Sequence, residues 1–123
     1  QVFAAAYSPR PGTPATNLAD DVPAAAKRRR LNHLLGVQEG IGAELNRAWL
    51  GRDVEVLVDA LRAQSSHEHD DGPTVDRQEH LSGRTRGNKL VHLTGDESLV
   101  GQSVTVRVDH AGPYALRGSL VEA

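Results

Sequence analysis

At 123 residues, with 38% hydrophobic and only 3% aromatic residues, the chain can bury one modest core, so one compact unit with an appendage is expected. Lys and Arg number 14 against 16 Asp and Glu, a formal charge of −2, which excludes a binder that grips DNA through a uniformly basic surface and counterion release. No cysteine is present, which excludes disulfides, thiolate zinc sites and cysteine-ligated iron–sulfur clusters within this chain, and no apolar run approaches the roughly 20 residues that span a bilayer.

The chain opens Gln1-Val-Phe-Ala-Ala-Ala-Tyr7, without a methionine or the positive flank of a signal peptide. Residues 2–7 predict a short buried strand, and an extended start of this kind suggests a fragment of a longer protein. Three prolines in Ser8-Pro-Arg-Pro-Gly-Thr-Pro14 then enforce an extended, turning loop. A helix is predicted from Pro23, with an acid of the pair Asp20-Asp21 as its cap and proline in its first turn. To about Leu50 apolar residues recur at Leu31, Leu34, Leu35, Ile41, Leu45, Ala48 and Trp49, close to the helical period, which commits one face to packing. Gly36, Gly40 and Gly42 lie inside this span at roughly 1 kcal/mol each relative to alanine, so the helix is expected to need tertiary support or to break near its middle. Gly51 is the stop signal.

After Gly51 the pattern alternates, with Val54, Val56 and Val58 on one face and Glu55, Leu57 and Asp59 on the other, as in a strand with one buried side. Leu81 to Arg84, Leu90 to Leu93, Val104 to Val108 and Leu116 to Val121 add four more short strands. Five antiparallel strands in some 70 residues predict a mainly β unit, a small OB-like barrel, though its strand order is not legible in the pattern. Between the first two strands, Arg62 to Arg77 has no period and reads as a mobile loop. Residues 59–79 carry the acids Asp59, Glu68, Asp70, Asp71, Asp76 and Glu79, so any positive field must be local to another place. His67-Glu-His-Asp-Asp71 resembles a metal site, but two histidines at i and i+2 in an acidic loop lack a fixed supporting shell, and no metal is expected there.

That other place is Gly83-Arg-Thr-Arg-Gly-Asn-Lys-Leu-Val-His-Leu93, where three cations, an amide and a histidine surround one tight turn. Arg84 can offer a phosphate two parallel donors, and Gly87-Asn88 suits the positive dihedrals of a hairpin turn. Charged Gly-Asn turns also occur in β-proteins that bind nothing there, so spacing by itself leaves both readings open. No nucleotide-binding fingerprint or catalytic serine arrangement is present, and this chain alone is not expected to be catalytic.

Taken in order, Tyr7-Ser-Pro-Arg-Pro-Gly-Thr-Pro-Ala15, Asp21-Val-Pro23 with Lys27 and Arg28, Gly83-Arg-Thr-Arg86 with Asn88, Leu90-Val-His92, Val100-Gly101 and Leu116-Arg-Gly118 resemble the C-terminal part of radical-SAM methylthiotransferases, most closely the MiaB-type tRNA enzymes. The resemblance runs over nearly the whole chain. It implies that residues 1–22 are the tail of a radical-SAM domain, 23–50 a connecting helix and 51–123 a TRAM domain, a small barrel that binds tRNA. It implies a cytoplasmic parent that uses two 4Fe–4S clusters and S-adenosylmethionine to add a methylthio group to a modified adenosine beside the anticodon. Those clusters would sit on upstream cysteines, outside this chain. Related enzymes modify another tRNA adenosine or an aspartate of a ribosomal protein, so a protein-interaction or purely structural module is the competing reading. The sequence departs from the family at Leu93, where many relatives carry phenylalanine, and in the acidic stretch 62–79.

For an RNA contact the expected residues are Arg84, Arg86 and Lys89 toward phosphates, with Asn88 shaping the turn or bonding a base edge. Arg117 reads equally as part of that surface or as a solvated arginine, and His92 equally as facing RNA or as a satisfied barrel histidine. Cations at Lys27, Arg28, Arg29 and Arg30 oppose the helix dipole, which points to a contact with RNA or to docking within the protein. Besides tRNA, the expected partners are the radical-SAM and N-terminal domains of the same protein, with no membrane, and residues 1–22 are candidates for self-association through an unpaired strand edge.

Overall fold

The computed structural model describes residues 2–61 and 79–122. Five strands form its centre: β1 (Asp53–Leu61), β2 (Glu79–Thr85), β3 (Leu90–Gly95), β4 (Ser103–Ala111) and β5 (Leu116–Leu120). They close into a barrel in the order β1-β2-β3-β5-β4, and β4 returns to pair with β1. Four pairings are antiparallel, as expected, whereas β3 and β5 run parallel over Val91↔Leu116 and His92↔Arg117. The alternation at the start of β1 holds: Val54, Val56 and Val58 are buried and the residues between them are exposed. These valines join Leu81, Val91, Leu93, Val106, Val108 and Leu116 in one core. At Gly83 and Gly118 the wall is drawn tight, since an added β-carbon would lie 2.3 Å from the Leu57 carbonyl oxygen and 2.1 Å from that of Arg107. Register shifts at Val58/Ala60 and Val108/His110 bend β1 and β4 around this small circumference.

Helix α1 (Ala24–Arg47) precedes the barrel and is continuous through Gly36, Gly40 and Gly42, so of the two alternatives the break is not formed. Nor is the expected acidic cap, because Pro23 occupies the capping position with no side-chain bond. Asp20 instead accepts a hydrogen bond from the Lys27 ammonium in the first turn of the helix. Gly51, at φ +77, follows the helix end, and its N–H bonds the Val108 carbonyl at 2.8 Å, which ties the helix exit to β4.

Two expectations about packing are corrected. Residues 2–7 form no strand, and Val2 and Phe3 are exposed. A strand needs a neighbour for its backbone groups, and a closed barrel presents no edge to supply one. The apolar stripe of α1 is also largely uncovered, with Leu34, Leu35, Val37, Ile41 and Leu45 all exposed. Of the expected stripe, Trp49, two residues beyond the end of α1, does pack against the barrel core, and within the helix the residues that meet the 112–115 loop are Gly42 and Asn46.

Candidate nucleic-acid interface

The cationic turn lies at the tip of the β2–β3 hairpin. Thr85 and Lys89 close it, with the Thr85 N–H bonded to the Lys89 carbonyl at 3.0 Å, the Asn88 N–H to the Thr85 carbonyl at 2.9 Å and the Lys89 N–H to Thr85 Oγ1 at 3.1 Å. Of the two residues expected to take positive dihedrals, only Asn88 does so, at φ 63. Asparagine tolerates that region because its short polar side chain costs little there, and one such residue suffices in a three-residue loop. Asn88 thus shapes the turn through its backbone.

The three tip cations are held differently. Arg86 projects furthest, with its side chain 85% exposed and one terminal nitrogen 3.1 Å from Glu55 Oε1. Arg84 folds back across the turn and donates from a terminal nitrogen to the Asn88 carbonyl at 3.2 Å, which leaves the rest of its guanidinium fork for another acceptor. Lys89 donates to Asn46 Oδ1 at 2.8 Å, and Asn46 in turn donates through Nδ2 to the Gly112 carbonyl at 2.8 Å. Asn46 is the one buried polar residue recorded among the described residues, at 6% exposure. The helical phase it shares with Gly42 and Trp49 was the available signal, but the more hydrophobic stripe on the neighbouring face obscured it.

His92 and Arg117 come together on the outer face. Inward Leu81, Gly83, Val91, Leu93, Leu116 and Gly118 leave His80, Ser82 and Arg84 of β2, His92 and Thr94 of β3, and Arg117 and Ser119 of β5 pointing outward. Ser82, His92 and Arg117 stand in register across the three strands. Past His92 and Arg117 the parallel pairing ends, and a groove of about 400 Å³ opens there beside Thr94, Asp109 and Ser119. Arg107 does not extend this surface, because it holds Asp53 through two bonds of 2.7 and 3.1 Å. That bond is the main reason the Asp53 carboxyl lies below its ordinary range, with desolvation opposing and the Arg107 charge adding a smaller pull.

Lys27 and Arg28 are not brought to the tip. They lie in the first turns of α1, and 19 residues at ~1.5 Å each put Lys27 about 28 Å along the helix from Asn46. Lys27 is occupied by Asp20, so the cationic start of the helix is in part an internal ion pair. The His67–Asp71 cluster and the acidic stretch up to residue 78 lie outside the described residues.

Comparison with known proteins agrees with this architecture. Residues 71–121 match the TRAM domain family. The chain is 40% identical to a tRNA-2-methylthio-N(6)-dimethylallyladenosine synthase of Burkholderia thailandensis, over 98% of its own length and 25% of the relative's. Proteins of the same name from Coxiella burnetii and Burkholderia mallei are 39% and 38% identical, over 96% and 98% of this chain and 24% and 25% of theirs. The chain therefore spans about a quarter of the length of the curated relatives it matches, and the likeness includes α1 and the segment before it as well as the barrel. The chain carries a TRAM domain and belongs to the family of these tRNA methylthiotransferases, corresponding to their C-terminal region.

Proposed function

We propose that this chain is the tRNA-binding module of a cytoplasmic radical-SAM methylthiotransferase that modifies an adenosine next to the anticodon. The observation that carries this reading is the placement of Arg84, Arg86 and Lys89 at one hairpin tip of an OB-like barrel, adjoining the outward row of His92 and Arg117. In barrels of this type the face of strands 2 and 3 is a common oligonucleotide platform. Cations at the tip neutralise phosphates, and a mixed outer face of histidine, hydroxyls and arginine suits base edges and ribose hydroxyls of structured RNA. The net charge of −2 gives modest affinity that depends on a local positive field, as suits a module that orients a substrate for a catalytic centre elsewhere.

That centre is read as lying outside this chain, which has no cysteine to offer a thiolate to an iron–sulfur cluster. Residues 1–22 are read as the end of the catalytic domain and α1 as its connection to the TRAM domain. A second contribution is favoured by the exposed stripe Leu34, Leu35, Val37, Ile41 and Leu45, which would pack on the rest of a longer protein and hold the barrel at a set distance from the reacting base.

The test is binding of the chain to an anticodon stem-loop and to a whole tRNA across a salt series, with Arg84→Ala/Arg86→Ala/Lys89→Ala alongside. Binding should weaken with salt, and the triple variant should lose both affinity and salt dependence. A folded triple variant that binds as the wild type does would remove the tip from the interface.

A further inference from the structure

A cleft of about 250 Å³ separates α1, the hairpin tip and the 112–115 loop. Gln38 and Asn46 of the helix, Asn88 and Lys89 of the tip and Tyr114 of the loop line it, and Phe3 stands at its edge. The chain has only one Phe, one Trp and two Tyr, so two of four aromatics meet at one small opening. Neither is used by the core: Tyr114 is 57% exposed and Phe3 89%. Trp49, by contrast, packs against the barrel interior.

The cleft is a built feature. Gly42 lets the helix backbone approach the Pro113 carbonyl, and the Asn46 bond to Gly112 fixes the loop that carries Tyr114. Asn46 also directs the Lys89 ammonium to this opening, and as a neutral amide it does so without cancelling the charge. An exposed ring, a held cation and the side-chain amides of Gln38 and Asn88 are the groups that recognise a nucleotide whose base is not paired. The ring stacks, the cation meets phosphate and the amides read the polar edge of the base. Along its length a paired duplex keeps its bases inside and presents no free base face to Tyr114.

We propose that this cleft is a subsite for one unpaired nucleotide of a structured RNA, with its base stacked on Tyr114 and its phosphate held by Lys89, which Asn46 positions. The inference rests on the RNA-binding reading above and adds to it a preference for an unpaired base over a continuous stem.

Two probe RNAs test it on the whole chain: a hairpin whose stem is closed by an unpaired loop, and the same stem as a blunt duplex. Tyr114→Leu should weaken hairpin binding about tenfold and leave duplex binding unchanged, while Tyr114→Phe, which keeps the ring, should bind as wild type does. Asn46→Asp, which gives Lys89 a charged partner, should flatten the salt dependence of hairpin binding by about one phosphate contact. If Tyr114→Leu binds the hairpin normally, or loses hairpin and duplex equally, while Arg86→Ala weakens both, the subsite is wrong and the RNA-binding reading stands. If the wild-type chain binds neither RNA, both fall. Should Tyr114→Leu fail to fold, 2-aminopurine moved through the loop of the hairpin decides with the wild-type chain: quenching at one position supports the subsite and quenching at none overturns it.

Discussion

Gly42 of helix α1 and Pro113 of the loop between β4 and β5 meet backbone to backbone: a β-carbon built on Gly42 would lie 2.4 Å from the Pro113 carbonyl oxygen. This approach seats the helix on the barrel and lets Asn46, one turn later, reach both Gly112 and Lys89. The nearby Gly36 and Gly40 face open space.

The contrast sets a prediction. Gly36→Ala should stabilise the helix by about 1 kcal/mol, the propensity difference at an uncrowded site. Gly42→Ala gains the same propensity but must push the helix off a carbonyl that cannot swing away, at a cost of roughly 1–3 kcal/mol. Thermal unfolding followed by circular dichroism should raise the midpoint for the first variant and lower it for the second. Equal stabilisation by both would show that the Gly42–Pro113 approach does not matter.

The barrel core predicts a second contrast. Leu81 is fully buried among the β1 and β3 side chains, and Leu81→Ala should cost about 2–5 kcal/mol by removing buried apolar volume. Leu57 is an outward residue of β1, and Leu57→Ala should stay within about 0.5 kcal/mol of the wild type. Urea unfolding midpoints of the two variants are the measurement, and a near-neutral Leu81→Ala would place the core elsewhere.

Asp53 and Arg107 bind β1 to β4 on the exposed side of the barrel and make part of its stability depend on acid. The folded state holds the Asp53 carboxyl below its ordinary value of 3.8. Its contribution is therefore fully present above that value and disappears as pH falls through the lowered one. Asp53→Asn should be slightly less stable than the wild type at neutral pH, and the two should converge as pH falls through the lowered value. The difference is small and shrinks with salt, because both partners face water. A gap that persists at the acid end would show that the ion pair is not its source.

Local features of the sequence carried a large part of this architecture. The valines at 54, 56 and 58 showed a strand with one wet face because a two-residue period survives any strand order. The turn at 86–88 was legible because few residues tolerate a positive φ, although one residue, Asn88, meets the need that had been assigned to two. The order and spacing of short motifs, from Tyr7-Ser-Pro-Arg to Leu116-Arg-Gly, pointed to the family that the likeness to tRNA methylthiotransferases supports.

What required the folded chain were relations between residues far apart in sequence. Val2 and Phe3 look like a strand, yet a strand exists only where another offers its backbone, and the five in the barrel already satisfy one another. Helix α1 has its strongest stripe at Leu34, Ile41 and Leu45, but the barrel meets the weaker face of Gly42 and Asn46, because a close backbone approach and a buried amide fit that junction and bulky leucines do not. Periodicity reports which side chains avoid water and says nothing of which element will cover them. The sequence by itself determined the strands, the turn and the cations. The closing of β3 on β5, the tie from Lys89 through Asn46 to Gly112, and the meeting of Tyr114 with that tie were decided by tertiary structure, since each joins segments whose separation in the chain no local pattern can encode.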